Sequence, residues 1–215
     1  MFDWSEFFNA EHSLAQALFE QAPDPAWLLG ELSAFCQGLM SKLGQEYKLL
    51  QDAVYVHETA TIHESAYIAG PAIIGPAVDI RYAVYLRGSV ILDEGVTLAN
   101  STEVKNAVLL KGATCPHYNY VGDSLLGPKA HLGAGVILSN LRSDRQNIVI
   151  DYRGEQWATG RHKFGAVIGE ACEIGCQSVL NPGTLLGKGS QVYPLTSLRG
   201  YFPANSKVGH RPITC

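Results

Sequence analysis

Between Val56 and Cys115 the chain reads VHETAT IHESAY IAGPAI IGPAVD IRYAVY LRGSVI LDEGVT LANSTE VKNAVL LKGATC. The first place of these hexads holds Val56, Ile62, Ile68, Ile74, Ile80, Leu86, Leu92, Leu98, Val104 and Leu110. Ile, Leu and Val make up about one residue in four of the chain. Ten successes in one phase would arise by chance about once in a million trials. The fifth place is small or β-branched throughout, from Ala60, Ala66 and Ala72 to Thr102, Val108 and Thr114. The phase breaks at Pro116 and restarts on Tyr120, Leu126, Leu132 and Leu138. After a gap it returns at Ile168, Ile174, Leu180, Leu186, Val192 and Leu198, with Cys172, Ser178, Thr184, Ser190 and Thr196 as small partners.

A period of six matches neither an α-helix nor a plain strand. It fits a triangular prism of short parallel strands, three hexads to a coil, with the large aliphatic inside and its small partner at the corner. The expected fold is mainly β: a single-stranded parallel β-helix of hexapeptide repeats, with a short N-terminal helical segment and an inserted hairpin loop. Six or seven coils stacked at about 4.8 Å predict a column roughly 30 Å tall. Residues 1–50 form the helical segment and 51–215 the β-helix domain, with the inserted loop at about 140–165. Asp24 before Pro25 is a strong helix start. Leu28, Leu32, Phe35, Leu39 and Leu43 then form a stripe that Gly44 can end. Asn9 is the expected cap of a shorter helix before it, and the whole segment reads as a packing lid over the first coil. In the loop, the run from Ile148 to Trp157 predicts a hairpin turning near Arg153–Gly154.

The composition is that of a globular chain, 47% hydrophobic and 17% charged, with net charge −4. No global positive field supports nucleic-acid binding. No apolar run approaches the roughly 18 residues of a membrane span. The acidic start, Met1 to Glu6, lacks the basic region of a signal peptide. Cys36, Cys115, Cys172, Cys176 and Cys215 show no pairing pattern, so reduced thiols and a cytoplasmic location are expected.

Chemistry is expected where the repeat is disturbed, because a β-helix carries no site by virtue of its fold. Between Lys111 and Asn140 the pattern is interrupted by His117, Tyr118, Asn119, Tyr120 and Asp123, followed by Leu132-Gly-Ala-Gly-Val136. This is either a site or a structural insertion with a hydrogen-bonded histidine. Arg87 and Lys105 are eighteen residues apart, one full coil, so they should stack on one side. Two cations so close need an anion between them or acidic neighbours. A phosphate and a solvated cationic ladder are equally good readings of that pair. Metal binding is not expected: His57 and His63 fall on different faces, and His117 and His131 lack coil spacing for one site. Cys172 should be buried at a corner and Cys176 outward-facing.

Four motifs carry a family resemblance: His117-Tyr-Asn-Tyr-Val-Gly-Asp123, Leu132-Gly-Ala-Gly135, Ser139-Asn-Leu-Arg142 and Arg161-His-Lys-Phe-Gly-Ala-Val-Ile-Gly169. They resemble the C-terminal left-handed β-helix domain of bifunctional glucosamine-1-phosphate acetyltransferase/N-acetylglucosamine-1-phosphate uridyltransferases, in the archaeal-type form. The likeness covers about residues 54–211 and is specific within 87–169. It implies a left-handed coil, a homotrimer, and acetyl transfer from acetyl-CoA to an amino-sugar phosphate in sugar-nucleotide biosynthesis. By resemblance, His117 is the general base and Asn140 sits near the acetyl group. Arg87, Lys105, Tyr120 and His131 contact the sugar phosphate, and Lys163 reaches it across a subunit boundary. Cys176 and Arg211 fall near acetyl-CoA. The family usually has asparagine at His131 and serine at Cys176; Leu141 follows the archaeal type. Residues 1–50 are too short for the nucleotidyltransferase domain, so uridyl transfer by this chain is not expected. The alternative is a non-catalytic trimeric module that binds a sugar phosphate or nucleotide and partners a separate nucleotidyltransferase.

Overall fold

Side chains at the hexad positions turn inward and stack, coil on coil, into a dry column. The computed structural model describes residues 2–209, so Arg211 and Cys215 lie outside the described residues. Each coil has three faces. The first begins at Val54–His57, the second at Thr61–Ile62 and the third at Tyr67–Ala69. The second face is an eight-stranded parallel sheet ending at Lys207–Val208. The first and third faces form one 14-stranded sheet, because strands Glu103–Leu109 and Tyr120–Leu126 run unbroken through the corner between them. Asn106 and Asp123 make that bend, each with positive φ (48° and 46°). The column is thus eight layers deep on the second face, more than the six or seven expected.

Part of the difference comes from steps of five, and the rest from Phe202 and Val208 at the far end. Inside the column Val104 is followed by Leu109, Cys115 and Val121, then Leu126, Leu132 and Leu138, all buried. The phase therefore slips at Val104–Leu109 and again at Val121–Leu126, not at Pro116. Leu110 and Tyr120 do not carry the interior ladder. Leu110 packs in the outer cluster with the helices, and Tyr120 is half-buried on the outer surface. The last layers rest on Phe202 and Val208, which pack against the same core.

Corner residues are small for steric reasons, and several also mend the backbone. Thr102 Oγ1 donates to Cys115 O (3.0 Å), Ser178 Oγ to Tyr193 O (3.1 Å) and Ser190 Oγ to Pro203 O (3.2 Å). Each hydroxyl donates to a carbonyl in the next coil. Cys172 Sγ does the same to Gly187 O at 3.2 Å.

The first face is apolar on both sides. Ile73, Ile91, Val108, Leu125, Val167 and Leu185 point outward from it and are buried under a second hydrophobic layer. Helix α1 (Gln16–Gln21) and helix α2 (Pro25–Met40) form that layer, with Leu28, Leu29, Leu32 and Cys36 buried against the sheet. Asp24 caps α2 as expected, accepting from Trp27 N at 2.8 Å. Two expectations fail. Helix α2 stops at Met40, before Gly44, and Asn9 caps no helix, its Oδ1 accepting from Glu11 N instead. The helices also flank the column rather than lidding its end. The open edge of the first coil is covered by strand Tyr47–Gln51, paired antiparallel with Val54–His57.

The inserted segment forms the hairpin Val149–Tyr152/Glu155–Ala158, turning at Arg153–Gly154. Its Ile150, Tyr152 and Trp157 pack with Phe2 and Phe7 in the same outer layer. Glu6 ties the pieces together, accepting from Tyr152 Oη (2.9 Å) and Tyr201 Oη and pairing with Arg153 (2.9 Å).

Core position and outer position should differ sharply in mutational cost. Leu92→Ala, at a fully buried site, is expected to lower stability by about 2–5 kcal/mol in urea unfolding. Leu195→Ala, at 82% exposure, should change it by less than about 0.5 kcal/mol.

Candidate active site

The third face carries the sequence motifs along its two edges. Register pairs Ala69 with Arg87, Val104 with Leu86 and Lys105 with Gly122. Arg87 and Lys105 are therefore stacked in adjacent coils, at the corner leading to the first face. They are not a bare cationic pair. Arg87 Nη1 lies 2.8 Å from Glu103 Oε1 and Lys105 Nζ lies 3.4 Å from Asp123 Oδ2. Acidic neighbours compensate the cations, leaving a formally neutral quartet. The hydrogen bond it donates to Glu103 raises the Arg87 guanidinium above its ordinary value.

Asp123 is the most buried member, 2% exposed. Besides Lys105 it accepts from Asn106 Nδ2 (2.8 Å) and from Asn140 Nδ2. Glycine at 122 makes room beside it. A Cβ there would lie 2.7 Å from both Tyr120 Oη and Asn140 Nδ2. Burial, with Glu103 and Asp123 nearby, pushes the Tyr120 phenol up. Lys105, Tyr120, Asn140 and Asp123 thus form one contiguous group, with Glu103 on the strand of Lys105 and Arg87 in the layer above. The sequence places Asp123 in the interrupted stretch and at the end of the first family motif, but gives it no role there.

His117 stands at the opposite edge of the same face, at the corner from the second face. It is exposed, and its backbone is held by Asn119 Oδ1 and by Gly135 N. Five residues separate it from Gly122, so the two Cα atoms are at most about 17 Å apart. Within one chain, then, His117 and the Arg87–Lys105 edge bracket the third face, with Tyr120 between them. His131 faces outward on the second face, its Nδ1 2.7 Å from Thr114 Oγ1. It lines a shallow cleft of about 310 Å³ with Cys176, Glu173 and Tyr193. His131 is on a different face from Lys105 and does not join that group. Lys163 is exposed at the neck of the insertion, where it bridges antiparallel to Leu141. Among the described residues no group of three or more His, Cys, Asp or Glu side chains is placed to hold a metal, and no helix is long and apolar enough to cross a membrane.

These features define a hexapeptide-repeat β-helix with a polar constellation at one corner. No protein-family model matches the chain. Individual proteins do. The chain is 35% identical over 88 residues to a bifunctional sugar-1-phosphate nucleotidylyltransferase/acetyltransferase from Sulfurisphaera tokodaii, covering 41% of this chain and 22% of that protein. It is 37% identical over 84 residues to the bifunctional protein GlmU of Methanococcus vannielii, covering 39% and 20%. The chain thus spans about a fifth of the length of these relatives. Among solved structures, the acetyltransferase domain of PglB from Neisseria gonorrhoeae covers 81% of this chain and 72% of its own at 16% identity, TM-score 0.31. AntD, an N-acyltransferase from Bacillus cereus, covers 80% and 89% at 15% identity, TM-score 0.36. Likenesses this distant say nothing of the site.

The cysteines separate cleanly. Cys36, Cys115 and Cys172 are buried and Cys176 is exposed. Burial pushes the Cys36 thiol up to about 12 and Cys172 to about 11, and raises Cys115 as well. In a Cys215→Ser background, one thiol should react quickly with an aromatic disulfide reagent in the native protein. Adding Cys176→Ser should abolish that fast phase, and the other three should appear only on unfolding.

Proposed function

We propose that the chain is an acetyl-CoA-dependent N-acetyltransferase acting in the cytoplasm on an amino-sugar phosphate resembling glucosamine 1-phosphate. The observation that carries the reading is the coincidence of two things. The chain is similar to the acetyltransferases named above, and Arg87, Lys105, Tyr120 and Asn140 gather on the face that His117 borders.

In this mechanism the sugar lies along the third face. Its phosphate meets Arg87 and Lys105, and its amine meets His117. The neutral amine attacks the thioester carbonyl; the C–N bond forms as the C–S bond breaks. His117 accepts the amine proton, a task suited to imidazole near neutral pH. The coenzyme A thiolate takes up a proton on leaving. Tyr120 contacts the sugar, and Asn140 stands beside the acetyl group. Cys176 lies toward acetyl-CoA.

The neutral quartet bears on the phosphate. A dianion there displaces Glu103 from Arg87 and gains no net positive field from Lys105, whose charge Asp123 balances. A further cation is needed, and exposed Lys163 from a neighbouring subunit supplies it. This favours a homotrimer with sites between β-helices. The departure at His131, where the family usually has asparagine, supports a second reading, a non-catalytic trimeric sugar-phosphate or nucleotide module that partners a separate nucleotidyltransferase.

Thiol release from acetyl-CoA with glucosamine 1-phosphate as acceptor distinguishes the two. Turnover is expected, with His117→Ala reducing kcat by about a hundredfold or more. Thermal stabilisation by the sugar phosphate without turnover would support the binding module instead. In solution the protein should sediment as a trimer, and Lys163→Ala should raise KM for the phosphate-bearing substrate with a smaller change in kcat. Sedimentation at monomer mass would rule out a site shared between subunits.

A further inference from the structure

We propose that Asp123 is a positioning residue that fixes the orientation of the Asn140 amide and anchors Lys105, and that helix α2 braces it through Asn106. The inference rests on the acetyltransferase reading and deepens it.

The geometry is specific. A carboxylate can only accept, so the group of Asn140 facing it must be the NH2. One Nδ2 proton goes to Asp123 Oδ2. The Tyr120 phenol oxygen and the Asn140 amide nitrogen flank the space over Gly122. With the NH2 turned to Asp123, the carbonyl oxygen is the group Asn140 has left to present. Among the described residues no fully buried side-chain N or O lacks a partner, and none donates to that oxygen within the chain, so it reaches the surface. Asp123 therefore makes position 140 an acceptor toward the substrate amine rather than a donor.

The brace lies behind. Asn106 Nδ2 donates to Asp123 Oδ1 at 2.8 Å and to Leu29 O of α2 at 3.2 Å. Gly165 N donates to Asp123 O at 2.8 Å, where the chain returns from the insertion. Among the described residues Lys105 Nζ is the one cation against the carboxylate. The N-terminal layer, which touches the third face nowhere else in this network, thus reaches the site through two hydrogen bonds.

Asp123→Asn tests the proposal. The new amide can donate to Asn140 as well as accept from it, so the Asn140 amide is free to turn. In the full-length protein with acetyl-CoA and glucosamine 1-phosphate, kcat should fall about ten- to a hundredfold. In an Asn140→Ala background the same change should cost less than about twofold, because the two residues act through one contact. Asn106→Ala, measured in both backgrounds, should show the same coupling with a loss of about threefold, and it replaces Asp123→Asn if that variant does not fold. Equal losses in both backgrounds would assign Asp123 a merely structural role and overturn the proposal, as would wild-type kcat in Asp123→Asn. Absence of turnover in the wild type itself would remove the acetyltransferase reading and this proposal with it, a result distinct from both.

Discussion

Backbone hydrogen bonding between successive coils is the constraint on which the rest of this molecule depends. Each strand is too short to be stable alone, and its N–H and C=O groups are satisfied only when the next coil arrives in register. Register turns a linear spacing into a vertical column. Ala69, Arg87, Lys105 and Gly122 become neighbours because their coils must align, not because any of those side chains attracts another. The interior ladder obeys the same rule: a residue that breaks it would unpair backbone as well as leave a void.

The candidate site sits where successive coils shorten. Two coils are a residue short, and the corner between the third and first faces is taken as a continuous bent strand, with Asn106 and Asp123 at positive φ. A charged group can be buried there because the bend turns side chains sideways into a pocket of donors. One coil further on, the chain leaves the column after Ser139 and comes back at Gly165, so that Leu126 pairs in register with Ile168. The excursion brings Asn140 to Asp123 and places Lys163 at its neck. Its hairpin meanwhile folds back onto the helical layer, leaving the neck and not the tip beside the third face.

Much of this was legible in the residues. The hexads implied a parallel coil, Asp24–Pro25 marked the start of α2, and Arg153–Gly154 marked the hairpin turn, each because a local rule acts over a few residues. Other features escaped. Steps of five disguised the interior positions after Val104, and Leu110 and Tyr120 looked like ladder residues because a rigid count of six was carried past the slip. The side on which the helices pack was written in a signal that went unread. The doublets Ile73–Ile74, Ile91–Leu92, Val108–Leu109, Leu125–Leu126, Val167–Ile168 and Leu185–Leu186 mark a face apolar on both sides, which must be covered. The neutralisation of Arg87 and Lys105 was a stated alternative but could not be chosen, because Glu103 and Asp123 reach them across coils.

By itself, then, the sequence determined the repeat, its interior ladder from Val56 to Val104, and the vertical pairing of Arg87 with Lys105. Those depend on periodicity, which is a property of the chain. Only the tertiary structure decided that the cations are balanced, that Asn140 and Tyr120 share the space over Gly122, and that the N-terminal helices flank the column instead of closing it. Such facts depend on which residues from distant coils meet, and on packing of surfaces whose partners lie far away along the chain.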